Sequence, residues 1–151
     1  MSEFKIDLNW KRNTPDFAYK TYDRTHTVTL GTDTPLAMSA APEYVGNANL
    51  ANPEQLLIAA LSSCHMLSFL AIAAMQGFVV DSYQDSATGV IGKNNQGKTS
   101  VTRITLSPTV SFGGDKQPDA DTLNKLHHKA HDICFIANSV NTEVIIEGLS
   151  H

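Results

Sequence analysis

The feature that most constrains this chain is a long apolar segment from Gln55 to Val80, which contains no Lys, Arg, Asp or Glu. Such a segment has to be removed from water, and it is long enough to cross a bilayer, for which about 20 residues suffice. Polar side chains interrupt it, however, and its ends lack the aromatic and basic residues that flank membrane spans. We therefore predict a helix enclosed by protein. Cys64 and His65 lie side by side within it.

The ends of this segment carry the signals of a single helix. Asn52 suits the N-cap, Pro53 the first helical position and Glu54 the first turn. The helix is expected to run to about Met75, with Gly77 beyond its end. Apolar residues cover nearly its whole circumference, so it must be enclosed on most sides. One small sheet covers one side of a helix, and we predict that a second copy of the chain covers the rest, which gives a homodimer.

Extended segments precede and follow this helix. Apolar and polar residues alternate from Phe4 to Lys11, as in a half-buried strand, and two more extended segments continue a meander. After the helix, FVVDSYQDSATGVIG and TSVTRITLSPTVSF form a predicted hairpin around KNNQGK. A second helix is expected to begin near Asp119–Asp121, and TEVIIEG is expected to form a last strand. The order β-β-β-α-β-β-α-β predicts an α+β fold in one domain over residues 1–151.

Charge and composition narrow the possible partners. The formal net charge is −4 and no basic cluster is present, so we expect neither nucleic acid nor a membrane surface as a partner. The N-terminus lacks the apolar run of a secretory signal, which predicts a cytoplasmic protein. In that reducing compartment, Cys64 and Cys134 are expected to be catalytic, redox-active, metal-bound or simply buried, and not to form a permanent structural bridge.

Cys64 is either an inert buried residue or a reactive thiol. Burial in apolar surroundings raises the pKa of a thiol and makes it less reactive, so a reactive Cys64 needs a cation that its own helix does not supply. The arginines of the chain are Arg12, Arg24 and Arg103. Arg24 lies in an extended segment beside aromatic residues and is our candidate, because Arg12 adjoins a turn and Arg103 lies in the hairpin. The residues alone leave both interpretations of Cys64 open.

Two other kinds of site also remain open on the residues alone. His127, His131 and Cys134 share one face of the second predicted helix, but a closed zinc site needs a fourth ligand, which would be Cys64 or His65. A cysteine hydrolase or acyl-transfer enzyme needs a base for Cys64, and His65 cannot serve, because adjacent helical residues point about 100° apart. No nucleophile-elbow motif is present. We predict neither a metal nor another cofactor.

Two motifs resemble those of a known family. ANPEQLLIAALSSCHM, in which Glu54 precedes Cys64 by ten positions, and AHDICFIANSV around Cys134 closely resemble the OsmC/Ohr family of small thiol peroxidases. The resemblance extends over nearly the whole chain, including YKTYDRTH and SAAPEYVG. SSCH and CFIANS are more similar to the OsmC-like branch than to the Ohr branch. The resemblance implies an intertwined α+β homodimer that reduces organic hydroperoxides. Besides the hydrolase or acyl-transfer enzyme, the alternative is a non-catalytic member of the same fold that binds a metal or another ligand.

The resemblance also implies a role for each site residue. Cys64 corresponds to the peroxidatic cysteine, Cys134 to the resolving cysteine, and Glu54 to the carboxylate that holds the activating arginine, for which we choose Arg24. The implied cycle passes through a Cys64 sulfenic acid and a Cys64–Cys134 disulfide. An external dithiol, which is a lipoylated protein in the Ohr branch, then restores the thiols.

A dry pocket beside Cys64 would favour a hydroperoxide with an apolar tail, since each buried methylene contributes about 0.8 kcal/mol. Tyr44, Phe69 and Phe135 are the candidate walls of this pocket, and core packing is the alternative role for each of them. A straight helix would place Glu54 about 15 Å from Cys64. If both residues serve one arginine, we expect a break or kink near Leu61–Ser63.

Overall fold

The computed structural model describes residues 1–31 and 33–148. The chain divides into two compact units, Met1–Leu56 and the part that begins at Leu57. The described residues contain two α-helices, eight short strands and two short 3-10 turns, joined by loops. The predicted α+β class is confirmed.

The first unit is built on an antiparallel meander of three strands, β1 (Asp7–Asn9), β2 (His26–Thr29) and β3 (Pro35–Met38). The meander was expected from the sequence, but its strands are shorter than the alternating pattern indicates. β2 has four residues, and three of them pair with β1, so only the centre of the Phe4–Lys11 segment has a paired neighbour. A 3-10 turn at Pro42–Tyr44 follows β3.

The long apolar segment forms α1 (Pro53–Met75), with the bounds that the sequence predicts. Asn52 and Gln55 form a reciprocal capping box at its start: each side-chain oxygen accepts from the other residue's backbone N–H, at 2.9 and 3.1 Å. At its end, Gly77 adopts a φ of +81°, and the N–H groups of Gly77 and Phe78 bond back to the last turn in a Schellman motif.

Among the described residues, the fully buried side chains of α1 lie on one face. The buried residues recur at the spacing of a single helical face and are Leu61, His65, Phe69, Ile72 and Ala73. Apolar side chains on other faces, such as Leu67 and Met75, are 60% and 77% exposed. The length and apolar composition of α1 would by themselves also allow it to cross a membrane.

The predicted hairpin after α1 is present but is divided into four strands: β4 (Val79–Asp85), β5 (Thr88–Lys93), β6 (Thr99–Leu106) and β7 (Pro108–Gly113). β4 pairs with β7 and β5 pairs with β6, and the register is the same on both sides of the interruption. At that point the Asp85 carboxylate accepts the backbone N–H of Ser107 at 2.7 Å. The Ser107 N–H thus donates to a side chain and not to a carbonyl group of the opposite strand. The backbone ladder is interrupted at this point, and the long hairpin is divided between two sheets.

The remaining elements close the second unit. α2 (Ala120–Ile133) begins where predicted, with the Asp119 side chain accepting from the Thr122 N–H as its N-cap. β8 (Glu143–Ile146) pairs with β6 in parallel. Two core clusters result: Phe69 of α1 packs with α2 and the β4–β7 sheet, and Leu61 packs with β6 and β8. Cys64 and His65 lie on α1 between these two clusters.

Candidate active site

The structure brings the two cysteines of the chain together. Cys64 lies half-buried on α1, and Cys134 is the C-cap of α2 with 1% of its surface exposed. Both are free thiols, and the Cys64 side chain lies near enough to Cys134 to raise the pKa of its thiol. Two cysteines that lie 70 positions apart in sequence are thus neighbours in the fold.

The surroundings of Cys134 favour its protonated form. Burial raises the pKa of its thiol to about 11, and the interaction with Cys64 acts in the same direction. The backbone N–H groups of Ile136 and Ala137 oppose this effect, and that of Ala137 lies 3.4 Å from the sulfur. Cys134 is therefore a neutral thiol at physiological pH.

A pair of buried histidines joins α1 and α2, and one of them, His65, follows Cys64 in the sequence. His65 Nε2 and His127 Nδ1 are 3.0 Å apart, and the two rings are parallel within 3°. The rings are 1% and 3% exposed, and the other nitrogen of His65, Nδ1, is buried without a hydrogen-bond partner in the described residues. Burial lowers the pKa of each imidazole to about 4, so both are neutral at pH 7.

The histidine pair was not anticipated from the sequence. His127 was considered only as a zinc ligand with His131 and Cys134. Among the residues described, no three His, Cys, Asp or Glu side chains come together as a metal site. A signal for the pair was available: His65 lies four residues from both Leu61 and Phe69, which places it on the core face of α1, where a polar side chain needs a buried partner.

A polar contact near Cys64 also ties α1 to the hairpin. The Ser62 hydroxyl donates to the Asp85 carboxylate, whose other oxygen holds the Ser107 N–H. Asp85 thus connects α1, the end of β4 and the residue that precedes β7. Nothing in the sequence pattern singled out these residues, because their contact depends on how the helix crosses the sheet.

Arg24, in the first unit, is held by aromatic neighbours. Its guanidinium donates to the carbonyl oxygens of Tyr19 and Tyr22 at 2.7 and 3.0 Å, and it lies 3.9 Å from the centre of the Tyr22 ring. Arg24 lines an open, mainly apolar cleft of about 530 Å³, and so does Tyr44. Trp10 and Phe17 also line this cleft.

Glu54 does not pair with Arg24 in the part of the chain that the structure describes. The ion pairs found there join other residues, and one oxygen of the Glu54 carboxylate is buried without a partner. The break that we considered at Leu61–Ser63 is absent, because α1 is helical without interruption. The roles of Arg24 and Glu54 stay predictions.

The three predicted pocket walls differ in their surroundings. Tyr44 borders the cleft of Arg24, and Phe135 is 80% exposed next to Cys134 in sequence. Phe69, by contrast, has no exposed surface and packs against Tyr83, Phe112 and His127. A side chain without exposed surface cannot wall an open pocket, so the prediction for Phe69 is wrong, and its function is core packing.

Comparisons with known proteins agree with this architecture. The family model for OsmC-like proteins matches residues 46–147. An OsmC-like protein of unknown function from Vibrio cholerae is 45% identical, with a TM-score of 0.93 over 97% of this chain and 99% of that one. The uncharacterized protein YmaD of Bacillus subtilis is 24% identical over 96% of this chain and 92% of its own length.

The fold is also shared with a more distant protein, the organic hydroperoxide resistance protein OhrB of Bacillus subtilis. The two chains are 19% identical, with a TM-score of 0.67 over 97% of each. At this identity the likeness shows the fold alone. α1, which by length and composition could cross a membrane, is therefore the central helix of a fold shared with these solved structures.

Proposed function

Since the chain belongs to the OsmC-like protein family, we propose that it is a cysteine-based peroxidase that reduces organic hydroperoxides. The family and the fold shared with organic hydroperoxide resistance proteins support a peroxide-related redox role. The observation that carries the finer proposal is the proximity of the Cys64 and Cys134 side chains, through which Cys64 raises the pKa of the Cys134 thiol. A peroxidatic cysteine needs a resolving thiol within reach, and this chain has one.

The proposed reaction proceeds in two steps that balance. The Cys64 thiolate attacks the outer oxygen of the hydroperoxide, the O–O bond breaks, and the alkoxide takes up a proton and leaves as the alcohol. The resulting Cys64 sulfenic acid then reacts with the Cys134 thiol, which forms the S–S bond and releases water. Cys64 is thereby protected from further oxidation. An external dithiol restores both thiols by exchange.

The thiolate of Cys64 needs a cation, and Arg24 is the proposed source. Its contacts with Tyr19 and Tyr22 hold a guanidinium at an apolar cleft, and a cation in apolar surroundings stabilises a nearby thiolate more strongly than one in water. Glu54 is the proposed partner of this arginine, because one of its carboxylate oxygens is buried and requires a donor. α1 is unbroken and places Glu54 about 15 Å from Cys64 along its axis, so one arginine would contact the two residues in turn and not together. Tyr44 and Phe135 remain the proposed walls for the substrate's tail.

We propose that the active form is a homodimer. α1 is covered by its own chain on one face, while Leu67 and Met75 stay exposed on others, and exposed apolar surface of this extent on a central helix favours a protein partner. The proposed compartment is the cytoplasm, where dithiol reductants such as lipoylated proteins are available to complete the cycle.

A cysteine hydrolase is the alternative that the site supports less well. Such an enzyme needs an imidazole that accepts the thiol proton, and the hydrogen-bond partner of His65 is His127. In the described residues, the Cys64 side chain interacts with the Cys134 thiol, and neither imidazole of the pair is hydrogen-bonded to it. The two buried, neutral imidazoles are therefore hydrogen-bonded to each other, and neither is placed to accept the proton of Cys64.

Hydroperoxide consumption tests the proposal. The protein is incubated with cumene hydroperoxide and a dithiol such as dihydrolipoamide, and peroxide loss is followed with time. Wild type should turn over and Cys64→Ser should be inactive. Cys134→Ser, which cannot form the internal disulfide, should consume about two to three equivalents and then stop with Cys64 over-oxidised to the sulfinic or sulfonic acid. Equal rates for wild type and Cys64→Ser would refute the proposal.

A further inference from the structure

We infer that the hydrogen-bonded pair of His65 and His127 positions Cys64 and Cys134 for disulfide formation. The inference rests on the proposed function for its purpose, since aligning two thiols matters only if they react with each other. The proposed cycle does not otherwise use either histidine. Both are therefore assigned as positioning residues.

The histidine pair connects the same two helices as the cysteine pair. His65 and Cys64 are adjacent on α1. His127 lies within α2, and Cys134 follows it by seven residues as the C-cap of that helix. Seven residues correspond to about two turns, or about 10 Å along the axis of α2. The histidine contact and the cysteine contact therefore start from adjacent residues of α1 but reach α2 at two points about 10 Å apart. Two contacts separated in this way restrict both the position and the rotation of α2 relative to α1.

Apolar packing between the helices does not supply this precision. Phe69 and Ile72 of α1 pack with Leu126 and Ala130 of α2 in one core cluster, but hydrophobic contact is non-directional and tolerates small slides. A hydrogen bond at 3.0 Å between nearly parallel rings tolerates much less, because its strength depends on distance and angle. Loss of the imidazole contact should therefore lower the effective concentration of one thiol at the other without removing the core.

The histidines are not suited to move protons in this site. The pKa of Cys134 is about 11 and that of each imidazole about 4, so proton transfer from the thiol to either ring is strongly unfavourable. The other titratable groups that act on the rings are His128 and His131, both on α2, and no carboxylate in the described residues contributes. The pair is held neutral, which suits a structural contact.

The first test is the midpoint potential of the Cys64–Cys134 disulfide in dithiothreitol or glutathione redox buffers. His65→Leu and His127→Leu should each weaken the disulfide about tenfold or more, which raises the midpoint by about 30 mV. His128→Leu is the matched control, because His128 is exposed on the same helix, and it should leave the potential unchanged. His65→Gln and His127→Asn place an amide near the bonding nitrogen and should restore most of the wild-type value.

A midpoint for both leucine variants within about 10 mV of wild type, a factor of about two, would overturn the inference. This assay contains no hydroperoxide, so it separates the inference from the proposed function. A wild type that forms the disulfide in redox buffer but not with hydroperoxide would refute the peroxidase while leaving the positioning role intact.

The second test needs no substitution and so does not depend on the folding of a variant. Coupling is reciprocal: if the histidine pair strengthens the disulfide, the disulfide must strengthen the pair by the same factor. Nuclear magnetic resonance titration of the two imidazoles in wild type should give midpoints about one pH unit lower in the disulfide form than in the dithiol form, for a tenfold coupling. Equal midpoints in the two forms would contradict the inference.

Discussion

Acid should destabilise this fold through the buried pair of His65 and His127. Each imidazole has its pKa lowered to about 4 by burial, whereas an imidazole in the unfolded chain titrates near 6.5. A lowered pKa in the folded state means that the unfolded chain binds protons first as the pH falls. The stabilisation is therefore fully present above pH 6.5 and is lost as the pH falls toward 4.

The size of the effect follows from these values. A group with a pKa of about 4 in the folded state and about 6.5 in the unfolded state contributes about 2 kcal/mol to the pH dependence between pH 7.5 and 5. His65 should approach that figure, and His127, which lies slightly nearer to solvent, should contribute less. We expect about 3 kcal/mol for the pair.

Urea unfolding followed by far-ultraviolet circular dichroism at pH 7.5 and pH 5 measures this quantity. The comparison is with the double variant His65→Gln/His127→Asn, which keeps polar groups at both positions but has nothing to titrate there. Wild type should lose about 3 kcal/mol more than the double variant over this pH interval. Equal losses in the two proteins would refute the assignment of buried, neutral imidazoles.

Three further predictions concern the site and its support. With iodoacetamide near pH 8, Cys64 should be alkylated well before Cys134, because the pKa of Cys134 is about 11 and its sulfur is buried; peptide mapping that found Cys134 modified first would be inconsistent with this. Leu61→Ala should lower the free energy of unfolding by about 3 kcal/mol, since Leu61 is 1% exposed in the core, and a loss below about 1 kcal/mol would argue against that packing. Asp85→Asn should cost about 1 to 2 kcal/mol through its weakened hydrogen bonds, and unchanged hydrogen exchange at Ser107 would speak against the Asp85 contact.

The parts of the fold that local chemistry determines were predictable. The ends of α1 follow from Asn52 and Gly77, and the start of α2 follows from Asp119, because a cap acts on its own turn. The helical spacing of apolar residues likewise identified both helices. The division of the hairpin was not predictable, since it depends on Asp85 reaching a backbone group of the opposite strand.

The candidate site was predictable only where a motif carried it. The resemblance pointed to Cys64 and Cys134, and the structure brings them together. Helix geometry excludes His65 as a base for the adjacent Cys64. Its actual partner is His127 on α2. This contact was not predictable, because spacing within a sequence does not reveal which elements pack together. Phe69 shows the same difficulty: an aromatic residue on an apolar helix suits a pocket wall and a core equally well until its neighbours are known.

The most direct test of the redox pair is the intact mass of the protein after one equivalent of cumene hydroperoxide, measured without reductant. The mass should fall by two hydrogen atoms per chain, and tryptic digestion should yield the peptide 25–93 joined to the peptide 130–151 through Cys64 and Cys134. An unchanged mass, or a gain of oxygen with no linked peptide, would contradict the proposal that these two thiols act as one redox centre.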